Sequence, residues 1–129
     1  AKYAAGWIPY MYTPEHLAQS IQKIKGYAEE EGRDLSDFTF GLYIFSGVHE
    51  DRETGVKYAS DRLSKQYAQD FSQLVHRYAL AGNPDSCQTR LQEYVEAGAS
   101  MVFVSSACPE DYLDQNIKMI AKDVIPAFR

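Results

Sequence analysis

The stretch Phe38–Val48, FTFGLYIFSGV, is apolar on both of its alternating faces. A strand with one wet face alternates apolar with polar residues. A strand covered on both sides does not, and such a pattern belongs to parallel sheets flanked by helices. Upstream, Gly6-Trp7-Ile8 is a short apolar stretch, and Thr13-Pro14-Glu15 opens a helix. Thr13 suits the N-cap, Pro14 the first helical position, and Glu15 faces the positive end of the dipole. Leu17, Ile21, Ile24 and Ala28 follow at helical spacing, and Gly32 closes the helix. Downstream, a long helix is expected from about Thr54. There Val56, Ala59, Leu63, Tyr67, Phe71, Leu74 and Tyr78 form one continuous stripe as far as Gly82. Asn83-Pro84-Asp85 starts another helix, with Cys87, Leu91, Tyr94 and Val95 inward and Gly98 as its stop. Met101 to Val104 reads as a second buried strand. Cys108-Pro109-Glu110 begins a last helix carrying Leu113, Ile117, Ile120 and Val124, stopped by Pro126.

The order β-α-β-α-α-β-α predicts an α/β fold with three parallel strands, long flanking helices and right-handed crossovers. A parallel sheet of three strands leaves two edges of unpaired N–H and C=O groups. Phe40, Leu42, Ile44, Val102 and Val104 are also more apolar than so small a sheet needs. Two architectures answer this: a piece of a larger barrel, or a small three-layer domain that covers its edges with helices or by dimerising. The chain opens at Ala1, and Lys2-Tyr3-Ala4-Ala5 reads as the end of a helix begun upstream. Truncation or processing would each leave that trace.

Composition narrows the class. The 129 residues suit one domain. Thirteen basic against 18 acidic residues give a net charge of -5 without a Lys/Arg cluster, which argues against a nucleic-acid partner. No apolar run approaches the ~20 residues that span a bilayer, and no stretch resembles a signal peptide. Cys87 and Cys108 are too few for a disulfide framework, form no C-x-x-C and lack histidines at metal spacing. No metal site is expected, and a cytoplasmic location is. G-x-G-x-x-G, Walker-type and H-E-x-x-H motifs are all missing from the sequence.

Three stretches carry a resemblance. Ala5-Gly6-Trp7-Ile8-Pro9 is similar to the A-D-G-W element of luciferase-like monooxygenases, with Ala5 where that family carries Asp. Glu31-Gly32-Arg33-Asp34 resembles their A-G-R-D helix stop. Ala81-Gly82-Asn83-Pro84-Asp85, Leu91 to Ala99 (LQEYVEAGA) and Val124 to Arg129 (VIPAFR) together resemble the family's ending, G-T-P-E, L-x-x-Y-V-x-A-G-A and E-V-L-P-x-L-R. The resemblance implies a (β/α)8 TIM barrel, a fold that takes ~250 residues. Residues 1–129 would be its C-terminal part, the last three strands and their helices. It implies oxidoreductase or monooxygenase chemistry on a small-molecule substrate, with FMN or coenzyme F-420 exchanging hydride or activating oxygen. The family's main cofactor contacts lie largely upstream of Ala1. No catalytic residue is therefore assigned, and the isolated chain is expected to be inactive and to bind no cofactor by itself. The alternative from another class is a complete, non-catalytic α/β module that self-associates through its sheet edges. Either way, self-association or contact with a remaining barrel fragment is expected.

Barrel sites gather at the C-terminal ends of strands, here Trp7 to Tyr12, Ser46 to His49 and Ser105 to Cys108. Pocket candidates are Trp7, as an aromatic wall; Tyr10, as a hydroxyl; Ser46; His49, which titrates near neutrality; and Ser105 and Ser106, as hydrogen-bonding rim. Plainer alternatives are core packing for Trp7, a lid or surface loop for Tyr10, a solvated loop for His49, and turn residues for Ser105 and Ser106. The helix starts carry Glu15, Asp85, and Glu110 with Asp111. These carboxylates oppose phosphate at the helix amides, so a cofactor phosphate is expected elsewhere.

Overall fold

The protein's structure, a computed structural model, describes residues 2–128. Four parallel strands appear among these residues: β1 (Gly6–Trp7), β2 (Thr39–Val48), β3 (Ala79–Gly82) and β4 (Met101–Ser106). The helices are α1 (Pro14–Glu30), α2 (Arg52–Tyr67), α3 (Val75–Tyr78), α4 (Pro84–Ala97) and α5 (Leu113–Met119). A π turn at Ile120–Val124 and a 3-10 turn at Ile125–Phe128 extend α5. Arg129, the last letter of the ending motif, lies outside the described residues.

β2 is the axis of the sheet. Its odd-numbered amides point one way: Thr39 N–H donates to Ala5 O, Tyr43 to Pro9 O and His49 to Gly82 O. Its even-numbered carbonyls point the other way, Phe40 O accepting from Ser100 and Ser46 O from Ala107. Peptide groups alternate in direction along a strand. β1 and β3 therefore share one edge of β2, one after the other, and β4 holds the opposite edge. Side chains alternate too. Leu42, Ile44 and Val48 point to the helical side, where they pack with Leu17 and Ile21 of α1, Leu91 and Tyr94 of α4, and Ile120 and Val124. Burying each such aliphatic side chain contributes about 1.5–3 kcal/mol. A second cluster lies on the odd face, at the C-terminal end only: Phe45 with Ala59, Leu63, Phe71, Val75 and Ala79.

Several sequence expectations are corrected. The helix expected from Thr54 to Gly82 ends at Tyr67, because Ala68 enters the left-handed region at φ 49°. Ser64 Oγ then accepts from Phe71 N–H and Asp70 from Ser72 N–H, which redirects the chain. After the short α3, Ala79–Gly82 is a strand paired with Phe45–Val48. So short an apolar run carries no period that separates strand from helix. In the last helix the inward residues are Tyr112, Asn116, Ile120 and Val124, whereas Leu113 and Ile117 are exposed. The helical turn also runs on past Pro126. Val95 is exposed rather than inward. Lys2–Ala5 is not helical; it bends at Tyr3 and Ala5 before β1 and is tied by the bond from Thr39 N–H to Ala5 O.

The caps follow the sequence closely. Thr13 accepts from His16 N–H, Asn83 and Ser86 form a reciprocal capping box, and Gly98 at φ 119° ends α4.

Candidate functional site

The strands end together at one side of the molecule, and α2 crosses that end. The crossing is close because two glycines meet there. A Cβ on Gly47 would stand 2.8 Å from Gly55 O and 2.9 Å from Ala107 O. One on Gly55 would overlap Gly82 O. Helix backbone thus rests on strand ends with no side chain between them. Asn116, fully buried, ties the same ends from beneath. Its Oδ1 accepts from Val48 N–H at 2.8 Å, and its Nδ2 donates to Ser46 O and to Ser106 Oγ at 3.2 and 3.0 Å. Tyr112 adds a hydroxyl bond to Val48 O at 2.8 Å.

Away from α2 the odd face of the sheet is bare. Ile8 is 47% exposed, Tyr10 55%, Tyr43 38%, Met101 47% and Phe103 45%, large apolar side chains on the inner surface of a sheet. Single exposed apolar residues are ordinary, but a contiguous patch marks a surface made to be covered. The strand expected to be buried at Met101–Val104 is covered on its helical side alone. Where the patch meets α2 it forms a recess of about 480 Å³. Ile8, Tyr10, Tyr43 and Phe45 make its floor, Arg62, Gln66 and Tyr67 of α2 its wall, and Ser105 and Ser106 its rim.

Of the six residues singled out from sequence, Tyr10, Ser105 and Ser106 come together at this recess. Trp7 lies on the helical side, packed against the core with its ring edge-on to Tyr12 at 5.5 Å. Ser46 is wholly buried between strand and helix, its carbonyl held by Asn116. His49 sits behind the strand end, where its Nδ1 accepts from Asp51 N–H at 2.9 Å. Its ring packs against Tyr112 at 5.4 Å and Tyr58 at 5.9 Å. Tyr43, Arg62, Tyr67 and Asn116 were not singled out. Tyr43 was legible from the odd face of β2. Arg62 had a weaker signal, lying seven residues from Gly55 on one helix face.

Burial pushes the Cys108 thiol up, against the opposing pull of nearby Arg62. Tyr112 is raised by burial and then by Tyr58. Asp51, which caps α2, is held below the usual carboxylate range by the Thr54 hydroxyl and amide. With Asp51 and Glu53 at its start, α2 is a further helix opening on carboxylates. Among the described residues no group of His, Cys, Asp and Glu could hold a metal ion. Nor is any helix there long and apolar enough to cross a membrane.

A family model for luciferase-like monooxygenases matches residues 1–101. No curated protein sequence matches the chain. Among solved structures, the coenzyme F420 dependent tetrahydromethanopterin reductase from Methanopyrus kandleri superposes with a TM-score of 0.75 at 18% identity, covering 99% of this chain and 46% of that one. An F420-dependent secondary alcohol dehydrogenase gives 0.76 at 20%, covering 98% and 44%. The monooxygenase RslO1 from Streptomyces bottropensis gives 0.72 at 18%, covering 96% and 41%. At such identities the likeness is one of fold. The chain matches a partial barrel and spans less than half the length of these structures.

Proposed function

Because the chain belongs to the luciferase-like monooxygenase family, we propose that it is the C-terminal portion of a flavin- or deazaflavin-dependent oxidoreductase, one that completes a substrate pocket and has little activity alone. The observation that carries this reading is the bare inner face of the sheet. Ile8, Tyr10, Tyr43, Met101 and Phe103 are exposed where a closed barrel would enclose them. Bound FMN or coenzyme F-420 would supply two-electron redox chemistry. The residues present suit one side of a planar ring or of an apolar substrate, through Tyr10, Tyr43 and Tyr67. The helix openings do not suit the cofactor's phosphate, since α1, α2 and α4 begin with Glu15, Glu53 and Asp85. The phosphate therefore belongs away from these helix starts. Here the chain's part is to orient substrate and to exclude water from the strand ends. Two free, buried cysteines fit a reducing cytoplasm.

The same bare face supports a second reading, a non-catalytic module that pairs with another copy. Flavin fluorescence separates the two. The intact protein carrying this sequence should quench FMN or coenzyme F-420 fluorescence at micromolar concentration, and residues 1–129 alone should not. Tight binding by residues 1–129 alone, or none by the intact protein, would overturn the first reading.

A further inference from the structure

We propose that Arg62 is the anion-binding residue of the recess, and that its ligand is an amphipathic anion, an apolar or aromatic body ending in a carboxylate or phosphate. This rests on the barrel-enzyme reading for the recess being a pocket in the intact protein.

Helix geometry places the guanidinium. Gly55 and Arg62 are seven residues apart, two turns of helix, so they share a face. Ala59 and Gln66 repeat the relation. That face is buried where α2 crosses the strands, at Gly55, Ala59 and Leu63. Arg62 and Gln66 continue the buried side, yet they stay exposed because α2 there overhangs the recess. An exposed guanidinium without a paired carboxylate is open to a counter-charge brought by a ligand.

The local carboxylates do not provide that counter-charge. Asp61 pairs with Lys57 at 2.6 Å. Glu110 and Lys65 share the groove on the other side of Arg62, but no ion pair joins Glu110 to it among the described residues. Arg62 lines that groove together with Cys108, just past the end of β4. Across the recess Ser105, opposite Phe45 on the odd face, presents its hydroxyl, whereas Ser106 turns its own to Asn116 on the helical side. An anion there would meet a planar guanidinium fork and a hydroxyl donor, the geometry suited to bidentate carboxylate or phosphate. The adjoining floor of Ile8, Tyr43 and Phe45 accepts an apolar body.

The anion could reside on a substrate or on a cofactor tail, and paired probes distinguish them. Isothermal titration of the intact protein would use 4-phenylbutyrate against its neutral amide, and FMN against riboflavin. The charged member of at least one pair should bind ten-fold or more tightly than the neutral one. Arg62→Gln should erase the difference, and Arg62→Lys should retain part of it. Discrimination confined to the carboxylate pair assigns the anion to substrate; discrimination confined to the flavin pair assigns it to the cofactor. Neither pair discriminated, or discrimination unchanged in Arg62→Gln, overturns the proposal. Carboxylate discrimination that depends on Arg62, in a protein that binds no flavin or deazaflavin, would leave this site standing while removing the redox reading. Arg62 is exposed, so both variants should fold; an unchanged circular dichroism spectrum checks it.

Discussion

Asn116 does the most with one side chain. It bonds the buried Val48 N–H and Ser46 C=O at the end of β2 and fixes the Ser106 hydroxyl at the end of β4. Asn116→Leu keeps the branched shape but orphans the buried Val48 N–H, whereas Ser46 C=O keeps its bond from Ala107 N–H. A loss of about 1–3 kcal/mol in urea unfolding is expected; a loss under ~0.5 kcal/mol would mean that the amide finds another partner. Gly55 reverses the usual helix rule. Alanine in place of a helical glycine ordinarily gains about 1 kcal/mol, but here its Cβ would meet Gly82 O, so Gly55→Ala should destabilise by about 1–3 kcal/mol. Alkaline titration tests the core. Cys87 is pushed up to about 12 by burial, and Tyr94 likewise to about 12. Both are neutral acids in the folded chain and ionise earlier when unfolded, so the unfolded state binds fewer protons and stability falls as pH rises. The loss should begin near pH 9 for the thiol and pH 10 for the phenol, up to about 1.4 kcal/mol per pH unit for each. Denaturant midpoints flat from pH 8.5 to 11 would contradict it.

At the scale of elements, the break after α2 decides the topology. Ala68 adopts φ 49° at the C-cap, a conformation that costs an L-residue roughly 1–2 kcal/mol and costs glycine little. Ala68→Gly should therefore raise thermal stability by up to about 1 kcal/mol, read by differential scanning calorimetry; a drop in stability would argue that the helix does not end there. This break was hidden from the sequence. Tyr67, Phe71, Leu74 and Tyr78 keep helical spacing across it, while the redirecting bonds at Ser64 and Asp70 are polar and local. β3 was hidden with it, four residues too few to show a period. β2 and the caps of α1 and α4 were plain, since doubly apolar runs and Thr-Pro or Asn-Pro openings have few other readings. The first turns of the last helix were misphased by one residue, while Ile120 and Val124 face inward as expected. Tyr112 and Asn116 face inward because their polar ends meet strand carbonyls and amides, which a search for apolar faces passes over. The candidate site was half legible for the same reason. Strand ends located Tyr10, Ser105 and Ser106, but the wall from α2 depends on a crossing that sequence does not reveal.

At the scale of the molecule, the helical side is finished and the inner side is not. Leu17, Ile21, Leu42, Ile44 and Tyr94 form a dry core, whereas Met101 and Phe103 face outward from an edge strand with no neighbour on its far side among the described residues. Alternation settles which amides are open. Ser100 N–H donates to Phe40 O, so the amides of Met101 and Phe103 point to the unpaired edge. Site-resolved hydrogen exchange on residues 1–129, kept monomeric, and on the intact protein reads those two amides directly. Exchange at nearly unstructured rates in the isolated chain, with strong protection in the intact protein, is the expected result. Full protection of both amides in the isolated monomer would mean that the sheet needs no neighbour, and the partial-barrel reading would fail.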